Sequence, residues 1–393
     1  MCTPEPEHDI PEFTILMPCL NEVETIELCI LKANEGLRKA GVTGEILVAD
    51  NGSNDGSQEV AIKAGARVVI VEEKGYGSAL RGGIETALGN WVIMGDADDS
   101  YDFSEISGFV EKLKQGYDLV MGCRLPRGGG TVLPGAMPWK HRWIGNPVLS
   151  FIGRLFFNIP VDDFHCGLRG FNRKAILTLD LHTTGMEFAS EMVIKANLHK
   201  LSITQIPIKL YPDGRSRPPH LRSWRDGWRH LRFMLLYSPR WLFLIPGIIS
   251  TMIGITVILL LLPEPLQIGN IIFDIHSMLY AALAIIFGYQ TIFFWFLTKI
   301  FAIREGFLPE DPQLNRIFRF IKLETGLFAG FCLVIIGFFG SFAAVLHWRQ
   351  AGFGDIDPSQ TQRIVIPSVI SAILGFQTVF NSFFFSLLGL KRR

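Results

Sequence analysis

The stretch VIMGDADDSYD, from Val92 to Asp102, turns an apolar run abruptly into a cluster of carboxylates. Side chains i and i+2 of a strand share a face. Asp96 and Asp98 can therefore point the same way where such a strand ends. Two carboxylates so placed repel unless one is protonated or a cation sits between them. Hard oxygen ligands suit Mg2+ or Mn2+, ions that commonly bridge a protein to a diphosphate. Asp98 and Asp96 are thus the metal-ligand candidates, with a solvated acidic loop as the alternative. A pair this short also arises by chance, so its position in the fold carries the argument.

Two earlier turns occupy equivalent places. One apolar run ends in Pro18-Cys19-Leu20-Asn21-Glu22, the next in Ala49-Asp50-Asn51-Gly52-Ser53. Carboxyl ends of parallel strands are where α/β sheets bind ligands. Asp50 or Asn51 could read a base or a ribose there; an ordinary capped turn is the alternative. Gly75-Tyr76-Gly77 follows the third run without the GxGxxG spacing, which excludes a nicotinamide enzyme.

The elements that must position these residues can be read from the chain. Strands are expected at FTILMP, EILVAD, ARVVIVE, WVIMGD and DLVMGC, with helices near 22–39, 56–64, 78–88 and 104–115. Such alternation implies a mostly parallel sheet covered on both faces. The 393 residues are 49% hydrophobic, with 37 basic and 37 acidic side chains. A balanced charge argues against nucleic acid as a main partner. Six scattered Cys without a CxxC pair suggest neither a zinc site nor a disulfide framework and fit a reducing compartment. His165 and Cys166 lack a second His/Cys cluster and fit a structural loop. The tail 1–12 is acidic and Pro-rich, unlike a signal peptide.

From Trp241 the chain suits a different solvent. Apolar stretches near 241–262, 276–298, 325–347 and 366–390 each reach the roughly 20 residues that span a bilayer. Lys299, Arg304, Arg316, Arg319 and Lys322 lie in one loop, and the chain ends Lys391-Arg392-Arg393. The loop 263–275 has no Lys or Arg, and 348–365 has only Arg349 and Arg363. Basic residues favour the cytoplasmic side, so both termini and the N-terminal domain are expected there, at the cell membrane. Between the halves, 221–240 places Trp224, Trp228, Leu231 and Leu235 on one helical stripe and Arg222, Arg225, Arg229 and Arg232 on another. That pattern suits a helix lying in the membrane interface. Gln290, Gln377 and Asn381, polar within the spans, are read as joining helices.

PCLNE, ADNGSNDGS, KGYGSALRGG and GDADD, in this order, resemble the inverting GT-A glycosyltransferases of family 2. MGCR (121–124), HCGLRGF (165–171), GMEFASE (185–191) and DGRSRPPH (213–220) narrow the resemblance to polyprenyl-phosphate sugar synthases, such as dolichyl-phosphate mannose synthase and undecaprenyl-phosphate glucosyltransferases. The resemblance implies an α/β GT-A domain over 13–220, a juxtamembrane amphipathic helix over 221–240 and a four-helix transmembrane domain over 241–393.

It also implies roles. Pro18, Asn21, Glu22 and Asp50 would line a nucleotide pocket, together with Asn51, which stands where many members carry a second Asp. Gly75 and Gly77 would let backbone approach the diphosphate. Asp98 would hold the cation and Asp96 would sit near ribose, sugar or metal. Ser100 stands where relatives have Gln as a further metal contact, so Ser100 or Asp99 would complete the set. Arg124, Arg142 and Arg169 would hold the acceptor phosphate, and Arg215 and Arg217 lie in the loop that closes over the donor. Glu187 and Glu191, i and i+4 on one helical face, would position sugar hydroxyls, orient arginines or make salt bridges. The expected reaction is hexose transfer from a nucleotide sugar to a polyprenyl phosphate, assisted by a divalent cation. UDP-glucose is the favoured donor, and GDP-mannose stays open. The spans would anchor the enzyme, guide the polyprenyl chain or mediate a homo-oligomer. The alternatives are a processive glycan synthase, whose QxxRW is not matched by Tyr237-Ser238-Pro239-Arg240-Trp241, and a lipid-sugar flippase with a regulatory domain.

Overall fold

A computed structural model of the protein describes residues 11–216, 223–309, 311–312 and 323–389. The chain divides into two units, one ending at Met234 and the other beginning at Leu235.

The first unit is built on β1 (Phe13–Cys19), β2 (Gly44–Asp50), β3 (Arg67–Ile70), β4 (Trp91–Met94), β5 (Leu119–Cys123), β7 (Arg169–Asn172) and β8 (Ile203–Pro207), in the order β3-β2-β1-β4-β7-β5-β8. The short pair β6 (Thr131–Val132) and β9 (Lys209–Leu210) lies apart. Strand β1 is buried along nearly its whole length. Its continuous apolar run is what a strand covered on both faces requires. Parallel pairing puts Cys19 beside Asp50 and Leu16 beside Met94. One register therefore brings the turns after β1, β2 and β4 to a common edge.

Helices α1 (Ile26–Ala40), α2 (Ser57–Lys63), α3 (Tyr76–Thr86) and α4 (Ser107–Lys114) fall where periodicity predicts them. In α1, Ile26, Cys29, Ile30, Ala33 and Leu37 form the buried stripe. Gly41, at φ 64, ends that helix in the left-handed cap that glycine adopts without strain.

The sheet has two strands beyond the five expected, β8, which adds in parallel to β5, and β7, which changes the order. Strand β7 runs antiparallel between β4 and β5, so the fourth and fifth strands are not neighbours. Its sequence, Arg-Gly-Phe-Asn, has neither alternation nor an apolar run, and it is a strand only because both neighbours are strands.

Helices α5 (Asn146–Phe157), α6 (Arg173–Leu177) and α7 (Phe188–Leu198) follow. Helix α5 is entered through a wide turn over His141–Gly145. It turns Ser150, Gly153 and Phe157 inward. Trp143, Ile144, Val148, Phe151 and Leu155 are exposed. Helix α8 (Ser223–Tyr237) corresponds to the expected interfacial helix. Trp224 is 91% exposed and Trp228 56%, but the face that packs on the first unit carries His230 and Phe233, with Met234 buried beside them. The predicted stripe therefore leaves its tryptophans outward, and the packing face is a third one that the Trp and Arg spacing conceals. Arg222 lies outside the described residues.

The second unit has four helices long and apolar enough to cross a membrane, at Arg240–Leu261, Ile275–Arg304, Leu323–Gln350 and Pro358–Leu388. We label their α-helical parts α9 (Ile245–Leu261), α10 (Ile275–Arg304), α11 (Leu323–Gln350) and α12 (Pro358–Gly389). Small residues set the close approaches. A Cβ at Gly254 would lie 2.6 Å from the Ala281 carbonyl, and one at Gly337 2.6 Å from the Ser368 carbonyl. Tyr289 and Thr378 share a 2.8 Å hydrogen bond between α10 and α12. Among the described residues, Gln377 Oε1 and Asn381 Nδ2 have no hydrogen-bond partner. Arg363 pairs with Asp274 at the end of the unit where the loops carry little basic charge.

Gly337→Leu should separate α11 from α12 and destabilise the detergent-solubilised protein by about 1–3 kcal/mol, the usual cost of overpacking. Gly354→Ala, at a loop position where the added Cβ would come no nearer than 3.4 Å, to the Ala351 carbonyl, is the comparison. Thermal unfolding in detergent reads the difference, and equal melting temperatures would contradict the assigned packing.

Candidate active site

The carboxyl end of β4 presents Asp96 and Asp98. Asp98 is 8% exposed. Its Oδ1 accepts from the Ser100 N–H at 3.0 Å and the Ser100 hydroxyl at 2.6 Å. Its Oδ2 accepts from Arg215 Nη2 at 2.7 Å. Asp96 Oδ1 accepts from the Tyr76 hydroxyl at 3.0 Å. Burial, and next the charge of Asp98, push the Asp96 carboxyl up to about 6. Burial is the larger cause of that rise, and the Tyr76 hydroxyl and the charges of Arg215 and Arg124 partly offset it.

Asp99 takes no part in this convergence. It sits at φ 62 and pairs with Lys32 Nζ at 2.6 Å. Of the two candidates to complete an oxygen set, Ser100 is therefore the one beside Asp98. Asp96, Asp98 and Ser100 offer hard oxygens that fit Mg2+ or Mn2+. Among the described residues, no three His, Cys, Asp or Glu side chains converge as an ion cage. An ion here would need further oxygens from a ligand.

The turns after β1 and β2 brace one another. Asp50 is fully buried. Its carboxylate accepts from the Gly52 N–H at 2.9 Å, the Ser53 N–H at 3.1 Å and Gln58 Nε2 at 2.7 Å. Asn21, at φ 59, accepts from the Asn54 N–H at 2.9 Å and donates its own N–H to Ser53 Oγ at 2.8 Å. Asn51 donates from Nδ2 to the carbonyls of Val71 (3.0 Å) and Glu73 (2.8 Å), and its Oδ1 accepts from the Gly75 N–H at 2.7 Å. This is work an aspartate could not do, since its carboxylate would face two carbonyls. Pro18 is half-buried at the end of β1.

Gly75 and Gly77 allow a close approach, but in this structure to the chain itself. A Cβ at Gly75 would lie 2.1 Å from the Thr184 carbonyl, and one at Gly77 2.3 Å from that of Thr183. The Gly77 N–H donates to Thr184 at 2.9 Å. Glu191 fixes the same loop. Its carboxylate accepts from the N–H groups of His182 (3.1 Å) and Thr183 (2.9 Å) and from the Thr183 hydroxyl (2.6 Å), and pairs with Lys195 at 2.9 Å. Burial alone would raise its pKa, but the Thr183 and Lys195 contacts outweigh it and hold the group below its ordinary value. Of the roles expected for Glu191, the salt bridge is the one observed, and the carboxylate is committed to the loop. Glu187, one turn earlier, has a buried Oε2 with no partner among the described residues.

The expected phosphate-binding arginines are placed differently from one another. Arg124 Nε and Nη2 donate to Asp163 at 2.7 and 2.9 Å, and the Arg124 N–H also donates to Asp163 at 3.0 Å. Nη1 points at the Tyr101 hydroxyl, 3.5 Å away. Burial works against the Arg124 charge, but Asp163 outweighs it and raises the pKa well above its ordinary value. Arg169 is fully buried and donates to the carbonyls of Cys166 (2.8 Å), Ala189 (2.6 Å) and Phe164 (3.4 Å). The expectation of a phosphate contact at Arg169 is corrected: the guanidinium has no face to offer an acceptor and instead ties the 164–168 loop to α7. Arg142 lies in the turn before α5, over the Trp143 ring at 5.4 Å, and its buried Nε has no partner among the described residues.

The segment 211–216 covers the acidic turn. The Tyr211 N–H donates to the Ser100 carbonyl at 3.0 Å and the Gly214 N–H to that of Asp98 at 2.9 Å. Arg215 reaches Asp98, Glu22 (3.2 Å) and Asp213 (3.1 Å). Arg217 lies outside the described residues. Sequence reading missed Tyr76, Tyr101 and Asp163. Tyr76 was in view in its glycine motif, but Asp163 gave no signal beyond its neighbourhood to HCGLRGF. A cavity of about 380 Å³ lined by Arg81, Ile84, Leu177, Asp180, His182 and Phe188 includes none of the strand-end carboxylates.

Residues 14–179 match the glycosyl transferase family 2 profile, and residues 296–389 match that of the family 2 C-terminal transmembrane region. The low-salt glycan biosynthesis hexosyltransferase Agl6 of Haloferax volcanii is 35% identical over 382 residues, covering 96% of this chain and 89% of that protein. The chain belongs to glycosyltransferase family 2. The glycosyltransferase AglJ of the same organism is 31% identical, covering 73% of this chain and 92% of the relative. Glucosyl-3-phosphoglycerate synthase from Mycobacterium tuberculosis, solved with Mn2+ and UDP-glucose, aligns at TM-score 0.46 and 22% identity over 58% of this chain and 79% of that one. This family 2 glycosyltransferase is a membrane protein with a GT-A domain.

Two expectations follow from the site. Asn51→Asp should release the backbone of residues 73–77, with faster amide hydrogen exchange there and little change at β1; unchanged exchange would contradict the bracing role of Asn51. Asp96→Asn should raise the melting temperature of chelator-treated protein by an amount that grows from about pH 4 to about pH 6 and stays level above it. The carboxyl ionises at its ordinary value of 3.8 in the unfolded chain and only at about 6 in the native one, so native stability is lost progressively across that window. Melting curves of both proteins at pH 5 and pH 7.5 provide the check.

Proposed function

We propose that this glycosyltransferase moves a hexose from a nucleotide diphosphate sugar to a polyprenyl phosphate at the cytoplasmic membrane face. The observation that carries the lipid acceptor is the exposed apolar face of α5. Val148, Phe151 and Leu155 line it, and Trp139, Trp143 and Ile144 precede it, with Arg142 in the turn that starts it. An apolar helix face with Trp and basic residues at its start fits the headgroup boundary. The dolichyl-phosphate hexose transferase of Haloferax volcanii, 27% identical over 51% of this chain and 84% of its own, supports this reading.

A lipid phosphate is ionised and needs no general base. It needs positive charge to hold it in line behind the anomeric carbon. Arg142, with its unpartnered Nε, supplies that charge. Arg124, locked in orientation by Asp163, adds the field of a fixed cation. The new bond forms from a phosphate oxygen to the anomeric carbon as the bond to the nucleoside diphosphate breaks, with inversion. Asp96 and Asp98, with Ser100, would hold a divalent cation, which neutralises charge on the departing diphosphate. Pro18, Asn21, Glu22, Asp50 and Asn51 shape the nucleotide side, and Glu187 is the carboxylate available to a sugar hydroxyl. UDP-glucose is the favoured donor, with GDP-mannose the other. The basic residues of the loop 299–324 and of the segment 391–393 support a cytoplasmic side for both termini.

The test is transfer of label from UDP-glucose or GDP-mannose to undecaprenyl or dolichyl phosphate by detergent-purified protein with Mn2+ or Mg2+. Asp98→Ala and chelator should each lower transfer at least about 100-fold, the scale of removing a principal electrostatic contributor. Folded protein inert with every donor and acceptor would overturn the reading.

A further inference from the structure

Arg215 has a second consequence for the acidic turn. Its guanidinium lies 2.7 Å from Asp98 Oδ2, 3.2 Å from Glu22 Oε1 and 3.1 Å from Asp213 Oδ2, and its side chain is 11% exposed. The other Asp98 oxygen is occupied by Ser100. The carboxylate expected to bind a cation is therefore already compensated by a permanent one. We infer that Arg215 stands in for the divalent cation, so that cation and nucleoside diphosphate bind as a coupled pair. This rests on the reading of Asp98 as a metal ligand.

The argument is one of exchange. A bare cation approaching Asp98 must displace a guanidinium from three carboxylates in a largely dry setting. Removing one partner from such a contact is costly, because the other charges are left uncompensated. A cation arriving with a diphosphate brings anionic oxygens that can receive the displaced guanidinium, so each charge keeps a partner. The loop need not leave for this to happen. Backbone bonds from Tyr211 to Ser100 and from Gly214 to Asp98, and those from Ser216 to Glu24 (2.8 and 2.6 Å), hold it while the Arg215 side chain turns. Because coupling between two ligands is reciprocal, the nucleotide should also bind poorly without the cation.

Electron paramagnetic resonance of free Mn2+ tests this on the full-length protein in detergent, with Mn2+ alone and with UDP or GDP. In the native protein the nucleotide should tighten Mn2+ binding at least about tenfold. Arg215→Gln should tighten binding of Mn2+ alone by about tenfold and shrink the nucleotide dependence. Asp213→Asn, which loosens Arg215 without touching Asp98, should shift it the same way by less, and it carries the test should Arg215→Gln not fold. Asp98→Asn should abolish Mn2+ binding throughout. If Asp98→Asn abolishes binding while both other variants bind Mn2+ alone no tighter than the native protein, the substitution role is wrong and the metal site stands. If Asp98→Asn binds Mn2+ as the native protein does, the metal-ligand reading itself fails.

Discussion

Negative charge gathered at one edge of the sheet governs the catalytic unit. Parallel registry of β1 with β2 and β4 is dictated by burying three apolar strands side by side. It delivers Glu22, Asp96 and Asp98 to the same place, whatever their mutual repulsion. The fold answers with Arg215 on Glu22 and Asp98, Lys32 on Asp99, and the Tyr76 hydroxyl on Asp96. The raised pKa of Asp96 reflects its burial first and the Asp98 charge second. A site so arranged can accept additional positive charge.

Around this edge, polar side chains that look functional in sequence instead hold loops. Asn51 fastens the segment before α3, Glu191 the turn at 182–184 and Arg169 the loop before β7. Each buried polar group is matched by backbone donors or acceptors, as a dry interior requires. The result is a stiff frame beside the acidic turn. Arg142 and Glu187 differ from this frame, each keeping a buried polar atom with no protein partner. Side chains of that kind can still spend their hydrogen-bonding capacity on a ligand.

The strand ends, the four apolar spans and the Asp96–Asp98 pair were legible because each rests on a local rule: apolar runs, span length, and alternation along a strand. Roles that depend on tertiary partners were not. Arg124 and Arg169 sit in equally suggestive motifs, yet one has a buried carboxylate opposite it and the other three carbonyls. Nothing in the spacing distinguishes these cases. Strand β7 escaped for a related reason, since its pairing is imposed by β4 and β5. The face by which α8 packs was hidden behind more conspicuous Trp and Arg spacings.

That packing face separates the boundary of the motifs from the boundary of the folded unit. The last motif of the catalytic half ends at His220, but Ser190 shares a 2.8 Å hydrogen bond with His230, and the His165 and His230 rings meet edge to face at 4.5 Å. A catalytic fragment ended with its last motif would leave Ser190 and His165 without this cover. Helix α8 is thus a wall of the first unit on one face, closing over Ser190 and His165, and carries exposed tryptophans on another.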